Sequence, residues 1–173
     1  KLENQLLFHN TYPYYSVLQS QEHWIRNGNH VNKKKYHTKQ YGYIWDHALK
    51  RCAISASSVL IERSLFDTIG LFDENLKSCE DYDLWLRISR HYLVGLDNNF
   101  SLTKFAGHDD QLSFKYQAMD RFRLYSLKKV FKTERNPIFK SKLIDMINIK
   151  ETILKKGQLK RKDTSIYDKE NLL

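Results

Sequence analysis

The sequence is poor in the residues that build disulfide-rich, turn-rich or membrane-spanning proteins. It contains only two cysteines, two prolines and six glycines among 173 residues. Cys52 and Cys79 form no Cys-x-x-Cys pair, which excludes a disulfide framework and a cysteine-rich zinc site. No run approaches the roughly 18 apolar residues of a transmembrane helix. So few cysteines are typical of a reducing compartment, and we expect a cytoplasmic location.

Apolar residues and basic charge are plentiful, and the charge is unevenly distributed. Hydrophobic residues make up 41% of the chain and aromatic residues 13%, enough for a packed core. Residues 1–114 contain 13 basic and 13 acidic residues, whereas residues 115–173 contain 16 and 7 and so account for the net charge of +9. We therefore predict a mixed α/β region over 1–114 and a basic helical appendage over 115–173.

Local patterns predict short strands and helices in the first region and two helices in the second. Asn27-Gly28 favours the positive φ angles of a hairpin turn, and Asp97-Asn98-Asn99 predicts a turn between two strands. Helices are predicted at 2–9, 43–49, 64–70, 80–90, 114–131 and 138–156. Strands are predicted at 17–25, 30–32, 54–61, 92–96 and 100–105.

Three carboxylates, Glu80, Asp81 and Asp83, lie at the start of one predicted helix. Acidic residues in a first turn complement the helix dipole, and Ser78-x-x-Asp81 has the spacing of a capping box. Alternatively, Asp81 serves as a general base beside a pocket, because on a helix it shares a face with the aromatic ring of Trp85. The residues alone leave both interpretations open.

A second polar group, His108-Asp109-Asp110, follows a predicted strand. One histidine beside two aspartates suits a divalent cation, but the same residues also suit a solvated loop.

Four motifs occur in a fixed order: KLENQ at 1–5, ASSVLIERSLFDTIGLFDE at 56–74, EDYDLWLR at 80–87 and GHDDQLS at 107–113. Together they resemble the C-terminal half of family 2 glycosyltransferases, inverting enzymes with the GT-A fold. The resemblance covers about residues 1–114 and implies a partial GT-A-like mixed sheet with flanking helices.

The resemblance implies a reaction and roles for particular residues. An acceptor hydroxyl attacks the anomeric carbon of a nucleotide-diphospho-sugar, with Asp81 as general base and Glu80 as the neighbour that orients it. It also implies Mg²⁺ or Mn²⁺ at the leaving diphosphate, and His108 matches a late histidine near that metal. Trp85, Ser57 and Ser58 are expected to line the substrate pocket, although each also suits a packing role.

Parts of the family pattern are missing. The family's Asp-x-Asp motif, which lies upstream of the segment that KLENQ resembles, and its N-terminal nucleotide-binding half are both missing, so we expect a fragment that is inactive alone; Asp81-Tyr82-Asp83 belongs to the later EDYDLWLR motif. The Gln-x-x-Arg-Trp motif of processive synthases is also missing, which favours transfer of a single sugar. An exposed sheet edge is expected to cause self-association or a domain-swapped dimer.

The expected partners are the nucleotide-sugar donor and a glycan or lipid-linked acceptor. The basic appendage either caps the α/β core or contacts an anionic membrane surface from the cytoplasmic side. The pI of about 9.4 permits a basic nucleic-acid-binding domain. However, no binding motif occurs, and we expect no nucleic-acid partner. A non-catalytic interaction or oligomerisation module is a further alternative.

Overall fold

The computed structural model describes residues 1–32, 37–106 and 116–161 and confirms a mixed α/β fold with helices flanking the sheet. Its relation to the GT-A fold stays a prediction. The elements, in chain order, are α1 (Leu2–Thr11), β1 (Val17–Arg26), β2 (Asn29–His30), α2 (Trp45–Ala48), β3 (Val59–Ile61), α3 (Leu65–Ile69), α4 (Glu80–His91), β4 (Val94–Ala106), α5 (Asp120–Thr133) and α6 (Pro137–Arg161).

Strand β1 is the centre of the four-stranded sheet. It pairs antiparallel with β2 and with β3, and parallel with β4. The predicted hairpin between β1 and β2 is confirmed, with Asn27 at φ 49° and Gly28 at φ 78°. The predicted strand at 54–61 is shorter than expected, because Ala56–Ser58 form a turn of 3₁₀-helix before β3 begins.

The predicted pair of strands at 92–96 and 100–105 is wrong, since β4 is one continuous strand. Its register with β1 shifts where Ser20 pairs with Asp97 and the next residue, Gln21, pairs with Phe100. The Asp97 carboxylate accepts hydrogen bonds from the backbone and the side chain of Asn99, at 3.0 and 2.8 Å. The turn-forming residues therefore build a bulge within a parallel strand rather than a hairpin.

Helix α4 lies between two hydrophobic cores. Its residues Leu84, Trp85 and Ile88 pack against β1, β4 and α3 in the first core. Its residues Tyr82 and Leu86 face the second core, which contains α2, α5 and α6. Helix α1 is bound to the segment directly before β3, because the Gln5 side-chain amide donates a hydrogen bond to the carbonyl oxygen of Ser58 at 2.8 Å.

The two predicted C-terminal helices are confirmed, and they pack on the α/β part of the chain. Leu127 and Leu143 are fully buried in the second core. The boundary predicted between residues 114 and 115 falls outside the described residues and stays a prediction. Within the described parts of the chain, no helix has the length and the apolar character needed to cross a membrane.

Buried ion pairs hold α4, α5 and the loop after α3 together. The Asp83 carboxylate is fully buried and binds the Arg87 guanidinium at 2.9 Å and the Lys129 ammonium at 3.0 Å. The pairing of Asp83 with Arg87 follows the i, i+4 spacing expected on a helix. Lys129 also binds Asp73 at 2.7 Å. Arg87 additionally donates to the carbonyl oxygens of residues 69–71.

Replacing Asp83 with Asn is expected to lower the free energy of unfolding by about 3 kcal/mol. The variant loses the buried carboxylate that binds Arg87 and Lys129. The loss of stability is limited because both cationic side chains keep some contact with water. Urea denaturation measures the change. The control is Asp46→Asn, which breaks the exposed pair with Lys142 and is expected to cost less than about 1 kcal/mol. Equal losses for the two variants would contradict the assignment.

Stability is expected to fall as the pH drops below about 4.5. The hydrogen bond from Arg90 lowers the pKa of Glu134. Burial opposes ionisation of Asp120, but hydrogen bonds from Arg123 and Lys150 outweigh it and lower the pKa of Asp120. The unfolded chain therefore binds more protons in this range, and acid favours unfolding. Urea midpoints from pH 7 to pH 3 measure the decline, and a double variant, Asp120→Asn with Glu134→Gln, should show a shallower one. An unchanged decline would refute the prediction.

Candidate active site

The acidic cluster lies at the first turn of α4, but it does not form the expected capping box. The residue before the helix, Cys79, has a left-handed backbone with φ 60°, and its side chain makes no capping hydrogen bond. The Ser78 hydroxyl contacts the Met119 sulfur at 3.5 Å instead. Asp81 Oδ1 accepts a hydrogen bond from the backbone N–H of Tyr82 at 2.7 Å. Asp81 is thus held by its own helix and not by Ser78.

The second oxygen of Asp81 contacts a cysteine. The Cys52 thiol lies 2.9 Å from Asp81 Oδ2 and 3.3 Å from the carbonyl oxygen of Ile54. Burial and the adjacent Asp81 charge raise the pKa of Cys52 well above its usual range, although Arg123 partly opposes the shift. Cys52 therefore stays protonated at neutral pH and donates to the carboxylate.

Asp81 lies where the core meets the surface. Glu80 and Asp81 are half-buried, whereas the next five residues, 82–86, are buried. A carboxylate in this position has a fixed orientation and is not fully enclosed by the core. This is the geometry that a general base needs.

Trp85 is a core residue. Its side chain is 1% exposed and packs in the first core with Val17, Leu84 and Ile88. Trp85 therefore has the packing role that was the alternative to a contact with substrate. In the described part of the chain, its ring is not presented to a ligand.

The two predicted serines differ in exposure. Ser57 is exposed, and its carbonyl oxygen accepts a hydrogen bond from the Lys1 ammonium at 2.8 Å. Ser58 is fully buried, and its hydroxyl donates to the carbonyl oxygen of Ser55 at 3.0 Å and accepts from Lys39 at 2.5 Å. Ser58 thus belongs to a buried polar network rather than to the contacts of Asp81. Its predicted contact with substrate stays a prediction.

The same network contains an ion pair that the sequence analysis missed. Glu22 and Lys39 are both buried and lie 3.3 Å apart, and the Trp24 indole N–H donates to Glu22 at 2.8 Å. Burial raises the pKa of Glu22, but the Lys39 charge and the Trp24 hydrogen bond outweigh it, so the pKa is below its usual range. The sequence did contain a signal for this ion pair, because Glu22 is a charged residue within the strand predicted at 17–25.

The described residues do not supply a metal site. Among residues 1–32, 37–106 and 116–161, no three His, Cys, Asp or Glu side chains are close enough to hold a metal ion. His108 lies outside the described residues, so its role at a metal stays a prediction.

Replacing Asp81 with Asn is expected to increase the rate at which Cys52 is alkylated, by roughly threefold or more. Removing the carboxylate charge lowers the pKa of the thiol and increases its thiolate fraction. Iodoacetamide labelling at pH 8 followed by peptide mapping measures Cys52 separately from Cys79. Asp67→Asn, which removes an exposed carboxylate on α3, is the matched control and should not change the rate. An unchanged rate in the Asp81 variant would show that the two groups are not neighbours.

Comparison with known proteins finds a partial relative. The chain is 45% identical over 58 residues to a protein from Rickettsia typhi named as an uncharacterized glycosyltransferase. The aligned segment covers 34% of this chain and 18% of that protein, so the similarity concerns a small part of a longer polypeptide. No family model matches the chain, and no solved structure matches it.

Proposed function

We propose that this chain is the acceptor-side part of an inverting glycosyltransferase and that Asp81 is its general base. The enzyme transfers a sugar from a nucleotide-diphospho-sugar to a hydroxyl of a glycan or lipid-linked acceptor. The observation that carries the proposal is the half-buried Asp81 carboxylate, held by Cys52 and the Tyr82 amide at the edge of the core. The name of the partial relative supports glycosyl transfer in general.

In the proposed reaction, Asp81 receives the proton of the acceptor hydroxyl. The hydroxyl oxygen forms a bond to the anomeric carbon on the face opposite the leaving group. The bond between that carbon and the diphosphate oxygen breaks, and its electron pair leaves with the nucleoside diphosphate. Each Asp81 oxygen already accepts one hydrogen bond and retains a second lone pair for the incoming proton.

Cys52 positions the base without competing for the proton. A thiol whose pKa is raised remains neutral, so it acts only as a hydrogen-bond donor to Asp81. Glu80 is half-buried beside Asp81 in the sequence, and we assign it the role of orienting or polarising Asp81. The same proposal includes a divalent cation at the diphosphate with His108 near it. His108 lies outside the described residues, and the nucleotide-binding half is not part of this sequence.

Replacing Asp81 with Asn in the complete protein that contains this chain is expected to lower kcat by roughly 10²–10⁴-fold. The amide cannot accept the proton, whereas the KM for the donor should change little because Asp81 does not bind it. The measurement is release of nucleoside diphosphate and transfer of radiolabelled sugar, with a panel of nucleotide-sugars and Mg²⁺ or Mn²⁺.

Asp67→Asn is the control, because it makes the same chemical change on an exposed part of α3. It should retain full activity. Near-wild-type transfer by the Asp81 variant would refute the assignment of the base. If the intact protein turned over no donor, the alternative of a non-catalytic interaction module would replace the proposal.

A further inference from the structure

Helix α6 carries a row of side chains that the fold leaves uncovered. Ile149, Ile153, Lys156 and Lys160 are spaced i, i+4, i+7 and i+11, so they share one face of the helix. Ile149 is 49% exposed and Ile153 is 46% exposed, and both lysines are exposed. We call these four residues the lysine–isoleucine stripe. The two half-exposed isoleucines lie one turn apart and form a small continuous apolar surface on this face.

The charge of the stripe is not neutralised within the described part of the chain. Other lysines of the appendage bind carboxylates: Lys128 binds Glu151, Lys142 binds Asp46 and Lys150 binds Asp120. Lys156 and Lys160 have no carboxylate partner among the residues that the structure describes. They also lie near the C-terminal end of α6, where the described helix runs to Arg161.

We propose that the lysine–isoleucine stripe docks the protein on an anionic lipid surface. The isoleucines would enter the boundary between headgroups and acyl chains, and the lysines would bind the negatively charged headgroups. Charge complementarity selects this occupant. A second copy of the chain would bring Lys156 and Lys160 towards like charges, and a nucleic acid would leave Ile149 and Ile153 without an apolar partner.

Contacts connect the stripe with the start of α4. Ile153 lines a depression of about 190 Å³ together with Met119 and Arg123. The carbonyl oxygen of Met119 accepts a weak hydrogen bond from the Cys79 thiol at 3.8 Å. Cys79 directly precedes Glu80 and Asp81 in the sequence. These contacts link the stripe to the helix that carries the candidate base, which suits an acceptor hydroxyl attached to a lipid.

Flotation of the full chain with vesicles tests the proposal without any transfer activity. The vesicles are phosphatidylcholine alone or phosphatidylcholine containing about a third phosphatidylglycerol. The chain is expected to bind the anionic vesicles and not the neutral ones, and the binding should weaken as salt is added. Lys156→Glu with Lys160→Glu should reduce binding by about 30-fold or more. Ile149→Ser with Ile153→Ser should reduce it roughly fivefold.

Two controls separate the stripe from net charge and from general surface apolarity. Lys77→Glu with Lys132→Glu makes the same charge change at exposed positions elsewhere. Ile144→Ser removes an isoleucine of similar exposure, 45%, from another side of α6. Both controls should bind anionic vesicles nearly as well as the wild-type chain.

Several results would overturn the proposal: no binding to anionic vesicles, equal binding to neutral ones, or equal losses in the controls and the stripe variants. It would also fail if the isoleucine variant dissociated a dimer in sedimentation, because the stripe would then be an interface between copies. A third failure would assign the stripe to nucleic acid: a short oligonucleotide displaces the chain from vesicles, and the isoleucine variant binds the vesicles as well as the wild-type chain does. None of these failures bears on Asp81, which is tested by kcat.

Discussion

Helix α4 has to bury two of its faces at once, and the rest of the structure is arranged around that requirement. One face closes the core above the sheet through Trp85, and the other closes the core formed with α5 and α6 through Tyr82. Between them, Asp83 is fully buried and requires its two cationic partners, because an unpaired buried carboxylate would be too costly. The buried middle of α4 thus fixes the position of its first turn, where Glu80 and Asp81 reach the surface.

This arrangement separates two carboxylates that are only two residues apart. Asp83 is fully buried and paired with Arg87 and Lys129, so its carboxylate is not accessible to a ligand. Among the described residues, the hydrogen-bond donors to Asp81 are neutral, a thiol and a backbone amide, and the residue is half-buried rather than enclosed. The difference in partners, rather than the residue type, is why the proposed chemistry is assigned to Asp81. Cys52 orients the Asp81 carboxylate while the thiol itself remains uncharged.

Features that depend on local sequence could be predicted, and features that depend on tertiary contacts could not. Asn27-Gly28 specified a hairpin because positive φ angles are a local requirement. Asp97-Asn98-Asn99 are also turn-forming residues, but here they form a bulge in β4 because β4 pairs with β1. Strand β1 is distant in the sequence, so no local pattern could predict this pairing. Ser78 had the spacing of a cap, yet Met119 from the appendage became its contact. The Cys52 contact to Asp81 spans 29 residues and leaves no local signal.

The parallel pairing of β1 with β4 has a consequence for how the chain acquires its structure. The two strands are separated by all of residues 27–93, and their pairing closes a long loop before it gains any contacts. During synthesis from the N-terminus, β1 emerges long before its main neighbour, with Val17 and Leu18 unprotected. The nascent polypeptide therefore passes through a stage in which one edge of its central strand has no partner strand yet.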